Sequence, residues 1–79
     1  MILEITTPDE TIFTGETDLV QLPGLDGSFE ILNNHAPLIS VLKEGRIKIK
    51  EKESGKDKFF AVKGGVVEVL SNKVLVLAE

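Results

Sequence analysis

The sequence predicts an all-β fold, a small two-sheet β-sandwich or flattened barrel of about eight short strands. Apolar and polar residues alternate with a period of two along most of the chain, as in strands that bury one face. An apolar period of 3.6 residues, the pattern of an amphipathic helix, nowhere persists for ten residues. Short turn-forming clusters separate the apolar runs, and 79 residues suffice for one domain, which we assign to residues 1–79.

The strand pattern is clearest in RIKIKEK, where Ile47 and Ile49 alternate with basic residues that point to the opposite face. The stretch SFEIL likewise places Phe29 and Ile31 on one face and Glu30 on the other. In chain order, the predicted strands cover residues 2–6, 11–15, 18–22, 28–32, 46–52, 58–63, 66–70 and 73–79.

Turn-forming residues lie between these segments. Residues 8–10 (Pro-Asp-Glu) predict a turn between the first two strands. Residues 43–45 (Lys-Glu-Gly) favour a hairpin loop in which Gly45 is left-handed. Residues 54–55 (Ser-Gly) and 71–72 (Ser-Asn) favour short hairpin connections.

Composition excludes several classes of site. The chain has no cysteine and one histidine, which leaves no disulfide, thiolate metal site or multi-histidine metal site. Its longest apolar runs are four or five residues, far below the ~20 residues of a membrane span. No basic region precedes an apolar stretch at the N-terminus, so we expect no signal peptide and a reducing compartment. The net charge is −4, yet residues 1–42 carry seven acids and no Lys or Arg, while residues 43–79 carry nine bases and six acids.

The only histidine, His35, lies in the connector NNHAPL between two apolar runs. Ser28 and Ser40 are the nearest hydroxyl groups in sequence, but no nucleophile signature surrounds them. We therefore predict no catalytic residue and no metal site, and we interpret His35 as a structural or interface residue. The glycines of GLDGS and KGG match no phosphate-binding loop, and no helix follows them, so no nucleotide site is predicted.

A basic stripe gives the main alternative from another functional class, a free-standing β-barrel that binds single-stranded nucleic acid or an acidic ligand. The stripe comprises the outward residues of one strand, Arg46, Lys48, Lys50 and Lys52. Such binding uses aromatic side chains between the bases, and none of the four Phe is expected on this stripe. Exposed lysines also discourage unwanted strand pairing, which favours a solvated face. Small all-β domains can also carry a lipoyl or biotinyl group on a lysine at a hairpin tip. Lys56 lies near a turn, but its neighbours Gly55 and Asp57 differ from those of such a lysine, so this resemblance is weak.

Four segments together carry a resemblance to a known family. They are LEITTPDETIFTGE, VQLPGLDGSFEIL, NNHAPLISVLKEG and VKGGVVEVLSNKVLVLAE, which cover the chain almost end to end. In this order and at these spacings, the chain resembles the N-terminal domain of the epsilon subunit of F-type ATP synthase, which is called delta in mitochondria.

This resemblance implies a non-catalytic β-sandwich in the rotor's central stalk, with no cofactor and no nucleic-acid partner. The domain would bind the gamma subunit on one side and the polar loops of the membrane c-ring on the other, and would pass torque between them. It would lie on the cytoplasmic side of the bacterial inner membrane without inserting into it. The residues implied to face gamma are Thr7, His35, Ala36, Pro37, Leu38 and Ser40. Those implied to face the c-ring are Leu25, Asp26, Gly27 and Ser28.

The sequence also departs from the family pattern. Asn33 stands where the family usually has proline, and Glu30 stands where glycine is common, next to the implied ring-facing tip. Family members commonly continue past VLAE into a two-helix hairpin that inhibits ATP hydrolysis and in some cases binds ATP. We expect the present 79 residues to lack both of those activities.

Overall fold

Eight β-strands and the turns between them make up the computed structural model, which describes residues 1–79. The strands are β1 (Ile2–Thr6), β2 (Thr11–Gly24), β3 (Gly27–Leu32), β4 (Leu38–Leu42), β5 (Gly45–Glu51), β6 (Asp57–Val62), β7 (Gly65–Leu70) and β8 (Lys73–Ala78). The prediction of an all-β fold is confirmed. No helix in the structure is both long and apolar enough to cross a membrane.

The strands form two layers that are joined through the long strand β2. In one layer the order is β1-β8-β7-β4, and in the other β2 lies between β3 and β5, with β6 beyond β5. The first half of β2 pairs with β1, and its second half pairs with β3 and β5, with a register shift between Thr17 and Leu19. At its end, Gly24 pairs with Leu42 of β4, so the hydrogen-bonded ladder closes on itself. This closure explains why both the sandwich and the flattened barrel describe the fold.

Two strand predictions were wrong although the total number of strands agrees. Residues 11–15 and 18–22 were predicted as separate strands, but the chain bends from one layer to the other without breaking, and both belong to β2. The strand β4 was not predicted. Its outward residues Ile39 and Val41 are apolar, so the expected alternation of apolar and polar residues is absent there.

The space between the layers is filled by aliphatic side chains. Apolar residues alternate inward along every strand, and 15 of them form one buried cluster, with four half-buried apolar residues packed against it. Two of these four, Phe13 and Phe60, contact each other with ring centroids 5.5 Å apart. The buried members are Met1, Leu3, Ile5, Val20, Leu22, Ile31, Leu42, Ile47, Ile49, Val62, Val67, Val69, Val74, Val76 and Ala78.

The predicted turns have different outcomes. The turns at residues 8–10, 54–55 and 71–72 are confirmed as hairpin connections, and both residues of the last have positive φ, 50° and 59°. The prediction for residues 43–45 was wrong. Strands β4 and β5 do not pair with each other, because the chain there lies along β2, where the Lys43 N–H donates to the Pro23 carbonyl oxygen at 2.9 Å. Gly45 is not left-handed; instead, a Cβ at this position would lie 2.8 Å from the Pro23 side chain.

Candidate interaction surfaces

The outer side of the β4-β7-β8 layer is largely apolar although it faces solvent. Strand register places Val41 beside Val66 and Val66 beside Leu77, so these side chains share one row on one face. Ile39 is 71% exposed and Leu77 is 52% exposed. We call this surface the apolar face and define it by Ile39, Val41, Val66, Leu70, Leu75 and Leu77. Contiguous exposed apolar side chains on a small domain are typical of protein-interaction sites.

One charged side chain lies within the apolar face. Glu68 is the cross-strand neighbour of both Ile39 and Leu75, and it is exposed. Sequence reasoning did not single out this surface. A signal was present, because VVEVL and KVLVLA are apolar on both faces, a pattern typical of strands covered on both sides.

The segment His35–Leu38 leaves the layer at the start of β4, and we call it the histidine segment. His35, Ala36 and Pro37 are exposed, and Leu38 is half-buried. The His35 Nδ1 atom lies 2.7 Å from the Ala36 carbonyl oxygen, and this is the only hydrogen bond of the ring. Pro37 and Leu38 line a groove of about 410 Å³ together with Glu68 and Leu70, so the histidine segment is continuous with the apolar face.

Asparagines hold the turn that precedes the histidine segment. The His35 N–H donates to the Leu32 carbonyl oxygen at 3.2 Å, closing a four-residue turn in which Asn34 has a φ of 64°. The Asn34 N–H donates to Asn72 Oδ1 at 2.7 Å, which anchors the turn to the β7–β8 hairpin. The backbone conformation of His35 is therefore set by contacts on both sides of the turn.

Asn33 occupies the second position of this turn, where proline is favoured because its φ is pre-set. This turn geometry accounts for the proline that the resemblance implies at this position. In the present chain, Asn33 Oδ1 instead accepts a hydrogen bond from the Met1 ammonium at 2.6 Å. The same ammonium donates to the Thr17 carbonyl oxygen at 3.1 Å, so the Asn33 side chain and the Thr17 backbone together hold the amino group of Met1.

The other residues implied to face gamma lie away from the histidine segment. Ser40 is half-buried on the inner side of β4, while its neighbours Ile39 and Val41 point outward. Thr7 follows the end of β1 that pairs with Leu77, opposite the β7–β8 turn that holds the histidine segment. Its hydroxyl oxygen accepts the N–H groups of the following turn, at 3.2 and 3.3 Å.

The residues implied to face the c-ring form the tip of the β2–β3 hairpin, residues 25–28, which we call the hairpin tip. Gly24 and Gly27 pair across it, and Leu25 and Asp26 form its two-residue turn, with both exposed. A Cβ on Gly24 would lie 2.7 Å from the Gly27 carbonyl oxygen, so the tight turn requires glycine there. The tip forms a cleft of about 510 Å³ with residues 39–41 of β4, which brings it next to the apolar face.

The outer side of the second layer is basic, and one expectation about it was wrong. Phe59 was not expected on the stripe, yet β5–β6 register places it directly beside Lys48, 51% exposed. Two consecutive Phe in one strand must point to opposite faces, and Phe60 takes the inner one. The Arg46 guanidinium carbon lies 4.9 Å from the centroid of the Phe59 ring, a cation–π geometry.

Titratable groups are otherwise dispersed. No three side chains among His, Cys, Asp and Glu lie together in an arrangement that could hold a metal ion. Three surface ion pairs are present, Lys48–Asp57 at 3.8 Å, Lys52–Glu16 at 3.3 Å and Lys58–Glu51 at 3.3 Å.

Known proteins are similar to this chain in sequence and in fold. A family described as the β-sandwich domain of the ATP synthase delta/epsilon chain matches residues 1–79. The ATP synthase epsilon chain of Chlorobium limicola is 42% identical over 77 residues, which cover 98% of this chain and 86% of that one. The epsilon chain of Maridesulfovibrio salexigens is 42% identical over 79 residues, which cover 100% of this chain and 54% of that one. A chain of the Euglena gracilis mitochondrial ATP synthase, solved with its c-ring, superposes with a TM-score of 0.89 at 25% identity, covering 99% of this chain and 49% of that chain.

Proposed function

The chain belongs to the family of ATP synthase delta/epsilon chains, as its β-sandwich domain, and from this premise we propose that it is a non-catalytic subunit of the central stalk. In this role it links the gamma subunit to the polar loops of the c-ring and couples ion-driven rotation to ATP synthesis. It carries out no chemical step itself. We place the complex peripherally on the cytoplasmic side of the bacterial inner membrane, and we assign these 79 residues linkage rather than inhibition or ATP sensing.

The observation that carries the gamma contact is the open apolar face. Five exposed apolar side chains and the half-buried Leu75 lie on three neighbouring strands in the isolated chain, and burial against a partner would remove them from water. Glu68 at the centre of this face then needs a cationic or hydrogen-bonding partner on gamma, because an unpaired buried carboxylate is costly. The histidine segment borders the face and supplies exposed polar contacts at its rim.

The c-ring contact is assigned to the hairpin tip. Its exposed turn offers Asp26 and Ser28 as polar groups and Leu25 as an apolar one, which suits a contact with polar loops. Backbone pairing between Gly24 and Gly27 sets the shape of the tip, so it presents these groups with little freedom.

Torque transmission requires that the two contacts be rigidly joined. The apolar face and the hairpin tip belong to one closed hydrogen-bonded ladder, and Gly24 at the base of the tip pairs directly with Leu42 at the end of β4. Close packing of the 15 core residues resists shear between the layers. A load applied at the tip therefore passes into β4 without crossing a flexible linker.

Co-purification with the cognate gamma subunit, followed by a titration that yields Kd, tests this function. Leu77→Asp puts a charge on the apolar face, and Phe59→Asp is its matched control, because Phe59 is equally exposed (51% against 52%) but lies on β6 in the other layer. We expect Leu77→Asp to weaken gamma binding at least about tenfold and Phe59→Asp to leave it unchanged. His35→Ala should weaken it to a smaller extent.

Two outcomes would contradict the assignment. If folded gamma and the folded chain form no complex, the stalk role is wrong. If the complex forms but both Asp variants bind equally well, the role stands and the apolar face is not the contact.

A second candidate, binding of single-stranded nucleic acid, gains support from the position of Phe59 on the basic side. One exposed aromatic ring provides one stacking platform, whereas strand binding uses several in succession. Oligonucleotide binding that falls steeply with salt would favour this candidate over the stalk role.

A further inference from the structure

A basic groove lies beside the hairpin tip on the outer side of the second layer. It encloses about 310 Å³ and contains no carboxylate in its lining. Its lining residues are Gln21, Pro23, Ser28, Lys43, Arg46, Lys48 and Phe59.

The cations of the groove are largely free of acidic partners. Lys43 and Arg46 form no salt bridge, and Lys48 has only a long contact of 3.8 Å with Asp57. By contrast, Lys52 and Lys58, outside the groove, are paired with acids at 3.3 Å. The groove thus concentrates positive charge in a chain whose net charge is −4.

The groove also offers directed hydrogen-bond donors. The side chains of Gln21 and Ser28 make no hydrogen bond within the chain, which leaves an amide and a hydroxyl group available. Arg46 lies over the Phe59 ring, and this contact restricts its side chain and holds the guanidinium group in place. A guanidinium group held in this way, with neutral donors beside it, is typical of phosphate recognition.

The location of the groove indicates where the phosphate comes from. Ser28 lines both the groove and the cleft of the hairpin tip, so the two features are contiguous. If the tip rests on the c-ring loops, the groove beside it lies at the membrane end of the domain. Anionic headgroups attract basic side chains within about a Debye length of that surface.

We propose that the basic groove binds the phosphate groups of anionic phospholipids beside the ring. This inference rests on the proposed function for its choice of ligand. Lipid contact at the groove holds the tip against the membrane side without insertion, since the groove acts through charge and its single exposed aromatic ring is engaged with Arg46.

Vesicle co-sedimentation of the complete 79-residue chain tests the proposal. One set of vesicles is phosphatidylcholine alone, and the other contains equal parts of phosphatidylcholine and phosphatidylglycerol. The groove variant replaces three cations by glutamine, Lys43→Gln, Arg46→Gln and Lys48→Gln. The matched control makes the same charge change at three exposed, unpaired lysines outside the groove, Lys56→Gln, Lys63→Gln and Lys73→Gln.

We expect binding to the anionic vesicles only. Each Lys or Arg near an anionic surface changes partitioning about fivefold, so the groove variant should lose on the order of 100-fold while the control loses much less. Equal losses in the two variants, or no loss in the groove variant, would overturn the proposal. Circular dichroism of each variant verifies that the strands remain folded.

Two further measurements separate the alternatives. A single-stranded oligonucleotide that binds through the groove while anionic vesicles do not would replace lipid with nucleic acid as the ligand. Co-purification of the groove variant with gamma tests the proposed stalk role independently of the lipid site. If the gamma complex forms but the unsubstituted chain does not bind vesicles, only the lipid site is refuted. If the chain binds vesicles but forms no gamma complex, the stalk role is refuted, and so is the placement of the lipid site beside the ring.

Discussion

Thr17→Val is expected to stabilise the domain, although it removes a hydroxyl group. Thr17 is 0% exposed, and its Oγ1 atom is the one buried side-chain polar atom without a hydrogen-bond partner. Its backbone is fully used, because its N–H donates to the Met1 carbonyl oxygen at 2.9 Å and its carbonyl oxygen accepts from the Met1 ammonium at 3.1 Å. The unfavourable free energy therefore comes from the hydroxyl group alone.

The size of the effect follows from the cost of an unpaired buried hydroxyl. Such a group costs about 1–3 kcal/mol, and valine has nearly the same shape as threonine. We expect the free energy of unfolding to rise by about 1–2 kcal/mol. For a domain of this size, each kcal/mol raises Tm by about 4–8 °C, so the change is easily measured.

Urea unfolding followed by circular dichroism gives the free energy, with Thr17→Ser as the control. Serine keeps the hydroxyl group and removes one methyl group, so it should lower stability by about 1 kcal/mol. If Thr17→Val is as stable as the unsubstituted chain or less stable, the hydroxyl group is hydrogen-bonded in solution and the reasoning is refuted. Gamma binding should not change in either variant, because Thr17 is buried away from the apolar face.

Three other substitutions test the backbone, the histidine segment and the core. Gly65→Ala should lower the free energy of unfolding by about 4 kcal/mol or more, because φ is +146° and the new Cβ would overlap the Leu77 carbonyl oxygen. Gly27→Ala, at φ +130° with nothing within 4 Å, should lower it by only about 1–2 kcal/mol, and thermal melts that give equal losses would contradict this difference. Asn72→Gly keeps the positive φ of 59° but removes the side-chain oxygen that accepts the Asn34 N–H and so holds the turn before His35. The affinity for gamma should therefore fall about fivefold while Tm changes little, and an unchanged affinity would show that this hydrogen bond does not matter for binding. Ile49→Ala, at a site with 0% exposure, should lower the free energy of unfolding by about 3 kcal/mol, and a loss below about 1 kcal/mol in urea would mean that the core refills the space.

Most of the strands could be predicted from the sequence, because the alternation of apolar and polar residues depends only on residues that are close together in the chain. Alternation predicted the strands in which one face is apolar and the other polar, such as β3 and β5. It failed at β4, where the outward residues Ile39 and Val41 are apolar and the inward Ser40 is polar, and within β2, where a strand that changes layers resembles two strands. The two errors offset each other in the total count, so agreement in number alone would have concealed them.

The candidate surfaces were less predictable from the sequence. The motif around His35 and the tip at residues 25–28 were identified through resemblance, and the structure places both at exposed turns. The apolar face was not identified, since it combines residues from strands that are distant in sequence. The same holds for the basic groove, where Lys43 and Phe59 meet Ser28 only through the order of the strands.

The sequence by itself determined that the chain is all-β, that it lacks the residues for disulfides or multi-histidine metal sites, and which family it resembles, because these depend on composition, local period and motif order. Only the tertiary structure decided that β4 lies beside β7 rather than β5, that Phe59 stands among the basic residues, and that an apolar surface remains open. The physical reason is that register and layer packing are long-range pairings. They bring together residues whose separation along the chain carries no signal of their contact.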